Sequence, residues 1–144
     1  HTPMLVIDSV NGEIRDVNLA ACDYYGYDLE TFRRLNICDI NTLSSYEISQ
    51  QMKNAKNGEQ MYFNFYHRLA NGELREVEVY SGPIKVHDEQ LLLSIVHDVL
   101  YKQEMEKKIE IQESYFKSLY ENSPEAVVIL DNAFNVININ KSFE

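Results

Sequence analysis

The sequence predicts an α+β domain over roughly residues 3–98, with five strands and several short helices between the second and third strands, followed by a charged helix. Three observations carry this. Two Asn-Gly pairs, Asn11-Gly12 and Asn71-Gly72, sit in or beside alternating apolar segments, which is a hairpin signal. Between them lie short segments that each begin with Asn, Asp or Ser, the residues that satisfy free N–H groups at a helix start. Beyond residue 99 the alternation gives way to a spacing of four and three.

Leu5, Val6 and Ile7 form the first strand and Ile14–Val17 the second, around the Asn11-Gly12 turn. Asn18 caps a helix over "LAACDYY", which Ala20 and Ala21 favour and Gly26 ends by taking the left-handed conformation. Asp28 caps "LETFRRL", and a further helical turn is expected over Asn36–Ile40. Ser44 or Ser45 starts the longest of these helices, with Gly58 ending it. In "EQMYFNFYHRL", Met61, Phe63, Phe65, His67 and Leu69 fall on one face and Tyr62, Asn64, Tyr66 and Arg68 on the other. Glu76 and Glu78 alternate with Val77 and Val79, giving the next strand one wet face. A hairpin turn at His87-Asp88-Glu89 leads to "QLLLSIVHDV", whose continuous apolar run predicts a central, covered strand.

From Leu100 to about Tyr120, Met105, Ile109, Gln112, Phe116 and Leu119 form a heptad seam with one polar position. The seam predicts a homodimer paired through this helix; a helix lying on its own domain would carry a similar pattern. Residues 125–144 repeat the beginning of the chain. "VVILDNAFNVININKSF" lies on "MLVIDSVNGEIRDVNLAA", with Asp131 on Asp8 and Asn140 on Asn18. Two domains of one type in tandem are therefore expected, the second represented by its first hairpin, whose strands are candidates for pairing with another chain.

Thirteen basic and 23 acidic residues give a formal charge of −10, the wrong sign for a nucleic-acid or anionic-membrane surface. Cys22 and Cys38 lack metal-site spacing and read as packing residues in a reducing compartment. No apolar run approaches roughly 18 residues, so a cytoplasmic location is expected of this stretch, with any membrane anchor elsewhere.

The combination of "IDSVNGEIRDVNLAACDYYGYDLETF", "HRLANGELREVEVYSGPI" and "SIVHDV" resembles the PAS sensor family. The resemblance implies a five-stranded antiparallel sheet with helices over one face and a cavity between them able to hold a ligand. It implies residues 1–99 as the sensor domain, 100–124 as a signalling helix and 125–144 as the start of a second PAS domain. Asn18 matches the family's helix-starting Asn, Gly26 its "GY" glycine, and Asp98 the closing Asp that links domain to exit helix. An output domain of histidine kinase or diguanylate cyclase type, in the same chain, is the implied destination of the signal.

No catalytic or metal-binding constellation emerges. His97 and Asp98 point to opposite strand faces, which rules them out as an immediate acid–base dyad. The family's haem ligand comes from a histidine on the long helix, and Thr42–Asn57 has none. "NICDIN" around Cys38 departs from the family's flavin-binding "NCRFLQ" by a shifted cysteine and missing Arg and Gln, so neither cofactor is expected. The candidates for a ligand pocket are Tyr24, Tyr25, Tyr27, Phe32, Met52, Phe63, Phe65 and His67, and the same aromatic supply would also fill a core. Any ligand is expected to be small and apolar or amphipathic, since no cluster of charges points inward. A purely structural dimerisation module with a filled core is the alternative, and a pocket above about 300 Å³ would separate the two readings. A small-molecule enzyme is a third reading without a supporting motif.

Overall fold

A computed structural model describes residues 1–122, together with the backbone of 128–130 and 136–139. Asp131 and Asn140, on which the repeat was aligned, lie outside the described residues. Two compact units are present, residues 1–102 and 103–144.

In the first unit, β1 (Met4–Asp8) and β2 (Ile14–Val17) form a hairpin, and β3 (Tyr62–Arg68), β4 (Leu74–Val86) and β5 (Glu89–Asp98) a meander. All neighbours are antiparallel, in the order β2-β1-β5-β4-β3. The hairpin and the meander therefore meet through β1 and β5, and β5 is central, as its apolar run predicts. Gly12 has φ +77, and a Cβ there would lie 2.8 Å from Asn36 Oδ1, so both conformation and space demand glycine. The β4–β5 turn has two central residues, His87 and Asp88, both at positive φ, while Glu89 already pairs with Val86. That left-handed pair suits the twist of a hairpin.

The helices between β2 and β3 are α1 (Leu19–Tyr25), α2 (Leu29–Phe32), α3 (Ile37–Ile40) and α4 (Ser45–Lys56). Each begins at a side-chain cap: Asn18 on Ala21, Asp28 on Thr31, Asn36 on Cys38 and Ser44 on Glu47. Asn36 and Ser44 belong to reciprocal capping boxes with Asp39 and Glu47. Asn18 does more than cap. Its Oδ1 also accepts from Met4 N at 3.0 Å, and its Nδ2 donates to Thr2 O at 2.9 Å, tying the start of α1 to the start of β1. Gly26 ends α1 at φ +84 and donates to Cys22 O.

The helices cover one sheet face, and a single core of Leu5, Ile7, Ile14, Ala21, Tyr25, Phe32, Ile37, Ile40, Ile48, Ala55, Phe63, Val77, Val79, Leu92 and Val96 lies between. Two local expectations fail. Met61 precedes β3 and escapes its alternation; it is 53% exposed, with its methyl group beside Gly82 on the other side of the sheet. Cys38 is exposed rather than packed, because Ile37 and Ile40 take the buried side of so short a helix. Cys22 is half-buried against the core.

Strand β5 passes without a loop into α5 (Val99–Asn122), of which no residue is buried. In the second unit, β6 (Val128–Leu130) and β7 (Val136–Ile139) pair antiparallel. No described helix is long and apolar enough to cross a membrane.

Candidate functional site

A cavity of about 40 Å³ lies between α3, α4 and the covered sheet face. Its walls come from Leu5 and Ile7 on β1, Phe63, Phe65 and His67 on β3, Val79 and Ser81 on β4, and Leu92, Ser94 and Val96 on β5. Ile37, Asn41, Ile48, Gln51, Met52 and Ala55 close it from the helical side. Strand alternation explains the membership: 63, 65 and 67, 79 and 81, and 92, 94 and 96 share the inward parity. None of these side chains carries a formal charge at neutral pH.

The polar groups in this wall are few. Ser81 and Ser94 occupy paired positions on β4 and β5 and bond to each other at 2.6 Å. His67 is 2% exposed, and its Nδ1 meets the Tyr25 hydroxyl at 2.7 Å. Among the described residues, His67 Nε2 and Gln51 Oε1 are buried without a hydrogen-bond partner. Burial pushes the His67 imidazolium pKa down to about 3, so the ring is neutral at physiological pH. The same burial raises the Tyr25 hydroxyl well above the ordinary tyrosine range.

Of the eight expected pocket residues, Met52, Phe63, Phe65 and His67 line the cavity, and Tyr24, Tyr25, Tyr27 and Phe32 do not. Tyr25 and Phe32 are fully buried, with edge-to-face contacts joining Tyr24 to Tyr25, Tyr25 to Phe32 and Tyr27 to Phe32 at centroid separations of 5.0, 5.5 and 5.6 Å. These four hold α1 and α2 in the core, and Tyr25 reaches the cavity only through His67. Cys38 is not in the lining either.

A second polar cluster lies where β5 becomes α5. Asp98 Oδ1 accepts from Tyr101 N at 2.8 Å, capping α5, and from Arg75 Nη2 at 3.0 Å. Its Oδ2 accepts from Arg75 Nε at 2.9 Å and from the Tyr24 hydroxyl. Burial alone would raise this carboxyl; the bonds from Arg75, Tyr24 and Tyr101 outweigh it and leave the group below its usual range. Burial first, then the bond to Asp98, lifts the Tyr24 hydroxyl in turn. His97 faces the other way, against the edge of Tyr80, so the two neighbours do not form a dyad.

Arg75 was not among the sequence candidates. Its signal was parity: Arg75 shares the inward register of Val77, Val79 and Ser81, and an inward cation requires a carboxylate. Asn41, Gln51, Ser81 and Ser94 were missed as well, the two serines being polar residues at inward positions of apolar strands.

Along α5, Met105, Ile109, Phe116 and Leu119 of the seam are exposed, as is Gln112. Tyr62 and Tyr80, also exposed, flank a shallow apolar groove on the uncovered sheet face, formed by Met61, Gly82, Pro83, Ile84, Leu93 and Ile95.

Residues 2–100 match the PAS domain family, and residues 114–144 match a PAS domain a second time. Over 111 residues, 75% of the chain, there is 39% identity to diguanylate cyclase DgcM of Escherichia coli strain K12, covering 27% of that protein. Sporulation kinase E of Bacillus subtilis strain 168 is 25% identical over 138 residues, which are 94% of this chain and 18% of the kinase. The chain thus spans about a quarter or less of these relatives' lengths. Among solved structures, a PAS domain from Desulfitobacterium hafniense superposes with a TM-score of 0.64 at 19% identity, covering 68% of this chain and 92% of its own. The five-stranded sheet, its helical cover and the two sequence matches lead to one conclusion: the chain belongs to the PAS domain family.

Proposed function

We propose that the chain is a non-catalytic sensory module in which a small ligand, or a partner, alters packing over the sheet and α5 carries the change to an output domain. The observation that carries this reading is that one strand serves both ends of the signal. Leu92, Ser94 and Val96 of β5 line the cavity, and Asp98, two residues further, caps α5. A shift of β5 therefore reaches the first turn of α5 without crossing a loop. The exposed seam of α5 suits pairing with a second copy, so that a displacement at its start becomes a change of register or angle between two helices. A cyclase and a kinase among the relatives support an output of one of those types, and a cytoplasmic location is part of the same proposal.

Such coupling needs two states that the input binds differently. Native mass spectrometry of the protein purified from its own host, with a denatured control, tests the input. Release of a small molecule on denaturation is the expected result. A chain that emerges empty, and whose output activity is indifferent to substitutions in the cavity, would overturn the reading.

A second reading, a structural dimerisation module with a filled core, is favoured by the cavity volume. About 40 Å³ is far below the roughly 300 Å³ typical of drug-sized ligand sites. The two unpartnered polar atoms in the same wall weigh the other way, because a core selected only for packing has no use for them.

A further inference from the structure

We infer that the cavity holds a small uncharged molecule carrying a carbonyl-type acceptor, bound by the Nε2–H of His67, and an N–H or O–H donor, bound by Gln51. Primary amides and undissociated carboxylic acids present both groups within one functional group. The inference deepens the sensory reading and rests on it.

The tautomer of His67 decides what this wall offers to the cavity. Two arrangements fit the 2.7 Å contact between Tyr25 and Nδ1. If Nδ1 carries the proton, it donates to the phenol oxygen, and the phenol's own hydrogen is left inside the core with no acceptor. Nε2 is then an unfilled acceptor as well. If Tyr25 donates to Nδ1, the phenol proton is used and the imidazole hydrogen moves to Nε2. One unmet group remains instead of two, so the second arrangement is the one these fully buried surroundings favour.

His67 therefore offers the cavity a neutral N–H donor. Gln51 offers its oxygen, and by rotating its amide could offer an NH₂ group in the same place. Ser81 and Ser94 share one hydrogen bond, which uses one hydroxyl hydrogen and leaves the other free to turn to a neighbouring acceptor. With no Lys, Arg, Asp or Glu in the lining, an ion would lose its hydration without a countercharge, which disfavours carboxylates and ammonium groups alike. Volume sets the size. At roughly 10–15 Å³ per water on this measure, about 40 Å³ admits a molecule of about three or four non-hydrogen atoms. Met52, unbranched and half-buried, is the wall element best able to give way to a slightly longer apolar tail.

The test uses the isotope-labelled 144-residue chain, with acetamide and sodium acetate as probes at about pH 7, where acetate is ionised. Imidazole nitrogen spectra report the His67 tautomer directly. The expected result is an Nε2–H tautomer in the free chain, a saturable Nε2 shift with acetamide and none with acetate. Tyr25→Phe should mix the tautomers and weaken acetamide binding by the fraction of rings that lose Nε2–H, about twofold. Gln51→Met removes a hydrogen bond to the ligand itself and should weaken binding about tenfold with the tautomer intact, and it serves if Tyr25→Phe fails to fold. An Nδ1–H tautomer, equal responses to both probes, or an Nε2–H that meets only water in the presence of acetamide would each overturn the inference. If a different class of ligand is released from the host protein, this chemistry falls and the sensory reading stands.

Discussion

Replacing Arg75 with Met isolates the electrostatic link between β4 and the cap of α5. Met retains much of the aliphatic stem, so the change removes the guanidinium more than the packing. Breaking a buried pair by deleting one partner costs about 3–5 kcal/mol. The Asp98 side chain is only 5% exposed, but that of Arg75 is 25% exposed, so water can partly replace the lost fork. Tyr24 and Tyr101 N–H still hold the carboxylate. The expected loss is therefore about 2–3 kcal/mol at neutral pH, below the range for a fully buried pair. Its pH dependence is the sharper signature. In the native chain the Asp98 carboxyl lies below its ordinary value of 3.8, so its contribution is present above that pH and lost as pH falls through the folded value. Without Arg75, burial dominates and the carboxyl protonates at higher pH, so the deficit of the variant should shrink between about pH 5 and pH 3. Amide exchange in the β4–β5 ladder, measured at several pH values, reads the opening of this unit alone. Crossing the change with Asp98→Asn gives the coupling term. A deficit that stays constant down to about pH 3, or a coupling below about 0.5 kcal/mol, would refute the link.

Further outcomes follow from the same structure. With its folded pKa near 3, His67 destabilises the fold as pH falls from about 6.5 towards 3, because the unfolded chain takes up a proton that the native chain refuses. His67→Phe should flatten the stability profile between about pH 6.5 and 4, and an unchanged slope would show that this ring is not the group responsible. Asn18→Ala should cost about twice as much as Asp28→Ala in thermal melts, where a single cap is worth about 1 kcal/mol, because Asn18 also holds Met4 and Thr2. Equal losses would reduce Asn18 to an ordinary cap. Ile109→Lys places a charge in the exposed seam of α5 and should shift the sedimentation equilibrium towards monomer; no shift would count against pairing through this helix.

Features governed by neighbours in sequence were legible before any coordinates. The caps at Asn18 and Asp28, the turn at Gly12 and the central position of β5 follow from short-range rules, which narrow the cap of α4 to Ser44 or Ser45 without choosing between them. The alternation in β3 placed Phe63, Phe65 and His67 inward and failed only at Met61, outside the regular strand. The partners of those residues were not legible. Tyr24 meets Asp98 across 74 positions, Tyr25 meets His67 across 42, and Arg75 meets Asp98 across 23. Such pairs depend on strand register and helix rotation, which periodicity does not specify. Aromatic content located the core without separating residues that fill it from residues that line a space within it.

That separation changes the meaning of "CDYYGY". Successive residues of a helix point about 100° apart, and here Tyr25 turns inward to Nδ1 of His67 on the cavity wall, while Tyr24 turns towards Asp98 and the cap of α5. α1 is anchored to β1 through Asn18 at one end and stopped by Gly26 at the other, which leaves seven residues little freedom to bend internally. A ligand that moves His67 would therefore displace Tyr25 with the helix that carries Tyr24, and the strain would arrive at Asp98. Together with β5, this gives the cavity a second route to the same carboxylate, through α1 and the hydrogen bonds that Tyr25 and Tyr24 make to His67 and Asp98. In the proposed sensory reading, two elements converging on one cap would pass to α5 changes in the core that either element alone could absorb.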